Sequence, residues 1–156
     1  MAAQKASTAA RGGAVIGGRA VRPTGGKRAD LGGQYFRSAW EANYARYLNW
    51  RIANGERLRW EYEPECIVFR FPVKPSKNST YRGDFAVWVG DSEVPEIHEP
   101  KGFMDQDSKI KLRRMQKFFP EAYALLRVIG RPEMRRIAEY RSLIPHWETP
   151  AGKGPR

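Results

Sequence analysis

Ile97-His98-Glu99-Pro100-Lys101-Gly102 places a carboxylate and an ammonium two residues apart in an apolar-flanked run. In a β-strand alternate side chains share a face, so Glu99 and Lys101 would point the same way, about 7 Å apart along the strand. Two meanings are open. One is a solvated edge pair; the other is a metal ligand beside a lysine that handles a water molecule. The choice depends on whether further carboxylates converge on the same spot.

Upstream, Val94 to Gly102 reads as a strand, and Gly90-Asp91-Ser92 as a turn. Tyr81 to Val89 reads as the strand before it, carrying Asp84 within Tyr-Arg-Gly-Asp-Phe. Strand, turn and strand make a hairpin that would bring Asp84 near Glu99. Arg57 to Glu63 alternates Leu58, Trp60 and Tyr62 with charged residues, and Ile67 to Phe71 repeats the pattern. Further upstream, Ser38 and Glu41 have the spacing of a capping box before a helical stretch from Ala39 to Ala53. Capping alone would account for Glu41.

Downstream, a helix is expected from Asp105 or Asp107 to Phe119, with Lys109, Arg113 and Lys117 along one face and Lys111 and Arg114 widening it. Asp105 and Asp107 read as first-turn acids favoured by the helix dipole. Tyr123 to Ile129 suits a buried strand, and a last helix opens at Gly130-Arg131-Pro132 and runs to about Ser142. The fold class is mixed α/β, a small mixed sheet flanked by helices. The domain is expected over 34–144, after a disordered basic arm over 1–33 and before a flexible C-terminal tail over 145–156 with Trp147 as its anchor.

The chain of 156 residues has a formal net charge of +11 and a pI near 10.1, a balance that suggests a polyanionic partner such as nucleic acid. One cysteine, Cys66, excludes an internal disulfide framework and reads as a buried or half-buried thiol. No apolar run is long enough to span a bilayer and the N-terminus lacks the apolar core of a signal peptide, so a cytoplasmic protein is expected. His98 would face away from Glu99 as packing. Trp60, Trp88 and Tyr62 read as core before base-stacking platforms.

Glu41, Asp84, Glu99 and Lys101 stand out as one constellation. Phosphodiester hydrolysis needs a nucleophilic water, a sink for transition-state charge and help for the leaving oxygen, which Mg²⁺ can supply. Mg²⁺ takes hard oxygen ligands; Asp84, Glu99 and the backbone carbonyl of Pro100 would offer three. Lys101 would orient or deprotonate the attacking water, and Glu41 would complete a second metal position. A basic helix directly afterwards can lie along a phosphate backbone.

Three motifs, Phe36-Arg37-Ser38-x-x-Glu41, Thr80-Tyr81-x-x-Asp84-Phe85 and Glu99-x-Lys101-Gly102, resemble the PD-(D/E)xK nuclease superfamily, and within it the four-way-junction resolvases of T7-like phages. The likeness covers roughly Tyr35 to Ile129. It implies a restriction-endonuclease-like core and a metal-dependent endodeoxyribonuclease acting on branched DNA as a homodimer. Asp84 and Glu99 would bind Mg²⁺, with Mn²⁺ as a substitute, Lys101 would be the catalytic lysine, and Glu41 the helix carboxylate, of its own site or the partner's. Arg37, Lys109, Lys111, Arg113, Arg114 and Lys117 would contact DNA. The location would be cytoplasm, that of the host if the chain is phage-encoded. Two departures are visible: Gly83 stands where a proline usually precedes the Asp, and Pro100 separates Glu99 from Lys101, which implies an edge strand or a bulge. A nuclease of the same fold with another DNA target, such as a nicking or transposon-end-cleaving enzyme, and a non-catalytic basic nucleic-acid-binding protein are the alternatives.

Overall fold

Strand alternation at the centre of the chain sorts its side chains onto two faces, and helices cover both. The computed structural model describes residues 15–16, 19–20 and 25–149. In chain order its elements are β1 (Val15–Ile16), β2 (Arg19–Ala20), β3 (Gly26–Arg28), β4 (Gln34–Phe36), α1 (Ala39–Ala53), β5 (Leu58–Tyr62), β6 (Val68–Arg70), β7 (Thr80–Arg82), β8 (Phe85–Val89), β9 (Glu96–Pro100), α2 (Gln106–Phe118), α3 (Pro120–Ala124), β10 (Leu126–Ile129) and α4 (Arg131–Ala138). The architecture is mixed α/β. A four-stranded sheet of order β10-β9-β8-β5 is accompanied by two-stranded pairs, β1 with β2, β3 with β4 and β6 with β7.

Within the main sheet β5, β8 and β9 run antiparallel and β10 joins β9 in parallel. Phe85 and Val87 of β8 enter one core with Tyr44, Ala45 and Leu48 of α1 and Met134 and Ile137 of α4. Ala86 and Trp88 enter the other with Ile67, Phe71, Tyr81 and Met115. Phe85 is fully buried, ringed by Tyr44, Trp60 and Tyr62 at centroid separations of 5.3, 5.6 and 5.2 Å. These rings answer the stacking alternative: Trp60 and Tyr62 pack against the core, and the Arg59 guanidinium lies 3.9 Å from the Trp88 ring centroid.

The expected strand over Tyr81–Val89 is two strands. At Gly83 the chain leaves the main sheet, because the Gly83 amide donates to the Ile67 carbonyl at 3.1 Å and β7 pairs with β6 instead. A proline at 83 could not make that bond. Pro100 also differs from expectation. It lies in β9, between β8 and β10, not on an edge. The amides of Ile97 and Lys101 donate to the carbonyls of Leu125, just before β10, and of Ile129, so residue 100 faces the β8 side, where the ladder has already ended at Phe85↔His98. No ladder donor is lost there.

Two boundaries move outward from those expected. Gly26–Arg28 pairs with Gln34–Phe36, and Asp30 accepts from Arg46 Nε at 2.8 Å, so residues 26–33 belong to the domain. β1 and β2 pair with each other, and the other residues of the expected arm, 1–14, 17–18 and 21–24, lie outside the described residues. At the other end Trp147 packs on the core, and Asn43 bonds both the carbonyl and the amide of Glu148. Residues 150–156 lie outside the described residues. The expected strand from Tyr123 begins only at Leu126, because Pro120 opens a short helical turn. The last helix stops at Ala138 and gives way to turns. Cys66 is exposed, not buried, although what burial it has pushes its thiol pKa up. Among the described residues no helix is long and apolar enough to cross a membrane.

Candidate active site

Where β7 diverges from the main sheet, a cleft of about 540 Å³ opens between α1, β7, β9 and the start of α2. Glu41, Asp84, Glu99, Pro100 and Lys101 all line it. Each element delivers its side chain for a local reason. Ser38 caps α1, its Oγ accepting from the Glu41 amide at 3.2 Å. Glu41 bends back as in a capping box, but its Oε2 accepts from the Arg37 amide at 3.1 Å, one residue before the cap. Asp84 follows the peel-off point at Gly83. Glu99 and Ile97 share the α2 side of β9, whereas His98 faces α1.

The three carboxylates are buried: Asp84 is 5%, Glu41 8% and Glu99 8% exposed. Each has a donor. Tyr62 donates its hydroxyl to Glu41 Oε2 at 2.5 Å, and Tyr81 donates to Glu99 Oε2 at 2.6 Å. Lys101 Nζ lies 3.4 Å from Glu99 Oε1, so strand alternation does bring that acid and base together. Arg37 Nη2 reaches Asp84 Oδ1 at 2.5 Å and Glu63 Oε1 at 2.8 Å.

Burial pushes the Asp84 carboxyl up to about 8, and the neighbouring Glu99 and Glu41 charges add to this; Arg37 pulls the other way. Burial raises both tyrosine hydroxyls too, with Glu41 beside Tyr62 and Glu99 beside Tyr81, so both remain proton donors. Among the described residues no group of three or more His, Cys, Asp or Glu is gathered as a ready metal cage. The donor set nevertheless suits a hard cation: two buried carboxylates in one cleft, with a third close enough to raise Asp84, carry negative charge that a cation would relieve. Asp84, Glu99 and the Pro100 carbonyl are the groups that would hold it, with Glu41 next to them.

The basic residues divide. Arg37 and Lys111 line the cleft, joined by Arg82. Lys109, Arg113 and Lys117 form an exposed row, and the cleft takes Ser108, Lys111 and Leu112 from α2 instead. Arg114 is tied to the Asn78 carbonyl at 2.6 Å. His98 is buried between the Tyr44 hydroxyl at 2.6 Å and Glu96 Oε2 at 2.8 Å, and burial lowers its pKa. Asp105 caps α2, accepting from the Ser108 amide at 2.7 Å, and Asp107 pairs with Lys77.

Sequence reasoning missed Tyr62, Tyr81, Glu63 and Arg82. The two tyrosines read as apolar positions in alternating strands, and nothing local tells which hydroxyl meets a carboxylate. Comparison of the chain with protein-family models, curated proteins and solved structures returns no match.

Proposed function

We propose that the chain is a metal-dependent endodeoxyribonuclease with a restriction-endonuclease-like core of the PD-(D/E)xK kind, hydrolysing phosphodiester bonds in branched DNA. The observation that carries this reading is the convergence of Asp84, Glu99 and Lys101 on one cleft with a basic rim of Arg37, Arg82 and Lys111. A plain phosphate binder gains nothing from buried acids at the floor of its cleft.

Mg²⁺, or Mn²⁺ in its place, would be held by Asp84, Glu99 and the Pro100 carbonyl and would stabilise charge on the phosphoryl oxygens. The protein's own side chains do the rest. Lys101, fixed by Glu99, orients the attacking water, whose pKa the bound cation would lower. Tyr81 holds the Glu99 carboxylate in one rotamer, and Tyr62 does the same for Glu41. The basic rim attracts the DNA backbone, which the net charge of +11 draws in at longer range. Glu41 lines the same cleft as Asp84, Glu99 and Lys101 of its own chain, which supports a site served by its own Glu41. A homodimer would supply the paired cuts that a junction requires.

The test is incubation of a synthetic four-way junction and a linear duplex with the protein and Mg²⁺. Paired nicks selective for the junction are expected. General or sequence-selective cutting would assign another DNA target, and binding without cutting would leave a nucleic-acid-binding protein.

A further inference from the structure

The Arg37 side chain occupies the middle of the acids. Its Nη2 is shared between Asp84 Oδ1 at 2.5 Å and Glu63 Oε1 at 2.8 Å, while Nε stands 3.8 Å from Glu41 Oε2. Asp84 is enclosed, its side chain 7% exposed, but the Arg37 side chain is 54% exposed and can swing without repacking a core. The guanidinium cannot leave by giving up its proton. A divalent cation can therefore take Asp84 Oδ1, or both oxygens of the carboxylate, only if Arg37 yields its place.

Glu63 is built to receive it. Its backbone sits at φ 48°, the left-handed region that L residues adopt at a cost, and its amide donates to the Asp84 carbonyl at 2.7 Å. That turn ends β5 and sets the Glu63 carboxylate across Arg37 from Asp84. If the Asp84 contact breaks, the Glu63 contact remains.

We propose that Arg37 is a displaceable internal counter-ion of Asp84, and that Glu63 is the carboxylate to which it retires when a divalent cation takes Asp84. This rests on the reading of the cleft as a divalent-cation centre. The incoming cation replaces the guanidinium at Oδ1 together with any proton the carboxyl holds, so the buried acids are never left uncompensated, a state that would be strongly destabilising. Arg37 and Glu63 act as positioning residues, and the threshold concentration of metal is set by their grip on each other.

Mn²⁺ binding to the full chain, followed by the electron paramagnetic resonance of free Mn²⁺, reads the exchange directly. Arg37→Gln should bind Mn²⁺ about tenfold tighter than wild type, a middling coupling for two mutually exclusive occupants. Glu63→Gln should bind it more weakly in the wild-type background and make no difference in the Arg37→Gln background, since Glu63 acts through Arg37. Should Arg37→Gln not fold, Arg37→Lys keeps the charge, loses the fork and must bind severalfold tighter. Wild-type binding that Asp84→Asn abolishes, with no tightening in either Arg37 variant, would overturn the counter-ion and leave the metal site standing. An equal loss from Glu63→Gln in both backgrounds would make Glu63 a plain negative charge and overturn its role. If neither wild type nor Arg37→Gln binds Mn²⁺, the metal site and the counter-ion fall together.

Discussion

Asp84 carries a strain of its own: a buried acid facing two others, with its carboxyl pushed up to about 8. The sign of the linkage follows. Between the ordinary aspartate value of 3.8 and about 8, the folded protein keeps a proton that the unfolded chain has released. Stability of the metal-free protein should therefore fall as pH rises through that window. Asp84→Asn should flatten the slope, and urea unfolding at a series of pH values checks it; an unchanged slope would place the titration elsewhere. The same variant, and Glu99→Gln, should lose cleavage while DNA binding persists or tightens, because repulsion between carboxylate and phosphate is relieved. Binding and nicking assays on one junction separate the two effects. At this scale much was legible. Spacing alone brought Glu99 and Lys101 to one face, and the Asp84 hairpin put a second acid beside them. Glu63 was hidden because it looked like one more charged residue at a strand end, and only its left-handed backbone shows that it is aimed.

The elements gather these side chains through one irregularity, the departure of β7 from β8 at Gly83. A Cβ at Gly83 would stand 2.6 Å from Ile97 Cγ2 and 2.8 Å from Ile67 Cδ1. Gly83→Ala should therefore overpack the junction and cost about 1–3 kcal/mol, measurable by urea denaturation; Gly83→Pro would also lose the amide bond to Ile67 and should cost more. The alternation from Tyr81 to Val89 does not announce this break, although the facing changes across it: Tyr81 shares a core with Ala86 and Trp88, and Phe85 and Val87 face the other. What breaks the strand is a carbonyl sixteen residues upstream, at Ile67, which no local pattern reports. Pro100 is legible only afterwards, as a proline opposite the gap. α2 has a similar lesson. Its basic residues recur at helical spacing, but packing of Met115 decides which of them see the cleft. Lys111→Ala should weaken DNA binding and lower the salt slope by about 1, as for one lost phosphate contact. Titrations at several salt concentrations check this, with Lys109→Ala and Arg113→Ala reporting whether the outer row of α2 also touches DNA.

Over the whole molecule, α1 acts as the beam to which both ends of the described chain are tied. Arg46, 5% exposed, holds Asp30 at 2.8 Å and Glu148 at 2.7 Å, and Arg28 also reaches Glu148 at 2.7 Å. Removing Arg46 strips Asp30 of its partner and leaves Glu148 to Arg28 alone, so Arg46→Ala should cost about 3 kcal/mol by urea denaturation. Conversely, the contact with Arg46 holds the Asp30 carboxyl below its usual range. None of this was legible, because the partners lie 16 and 102 residues from Arg46. Composition pointed the other way, towards unstructured ends. It counted apolar residues and missed that ion pairs on a packed helix can recruit polar segments to the domain.

Because Arg28 and Glu148 clasp each other, the two ends of the segment 25–149 lie side by side. A rearranged gene that runs from residue 149 through a short linker into residue 25, and opens in the exposed turn between Val89 and Glu96, would encode a circular permutant. Every strand pairing from β3 to β10 would keep its partner, and Asp84 and Glu99, neighbours of the opened turn, would come from opposite ends of the new chain to meet in the cleft.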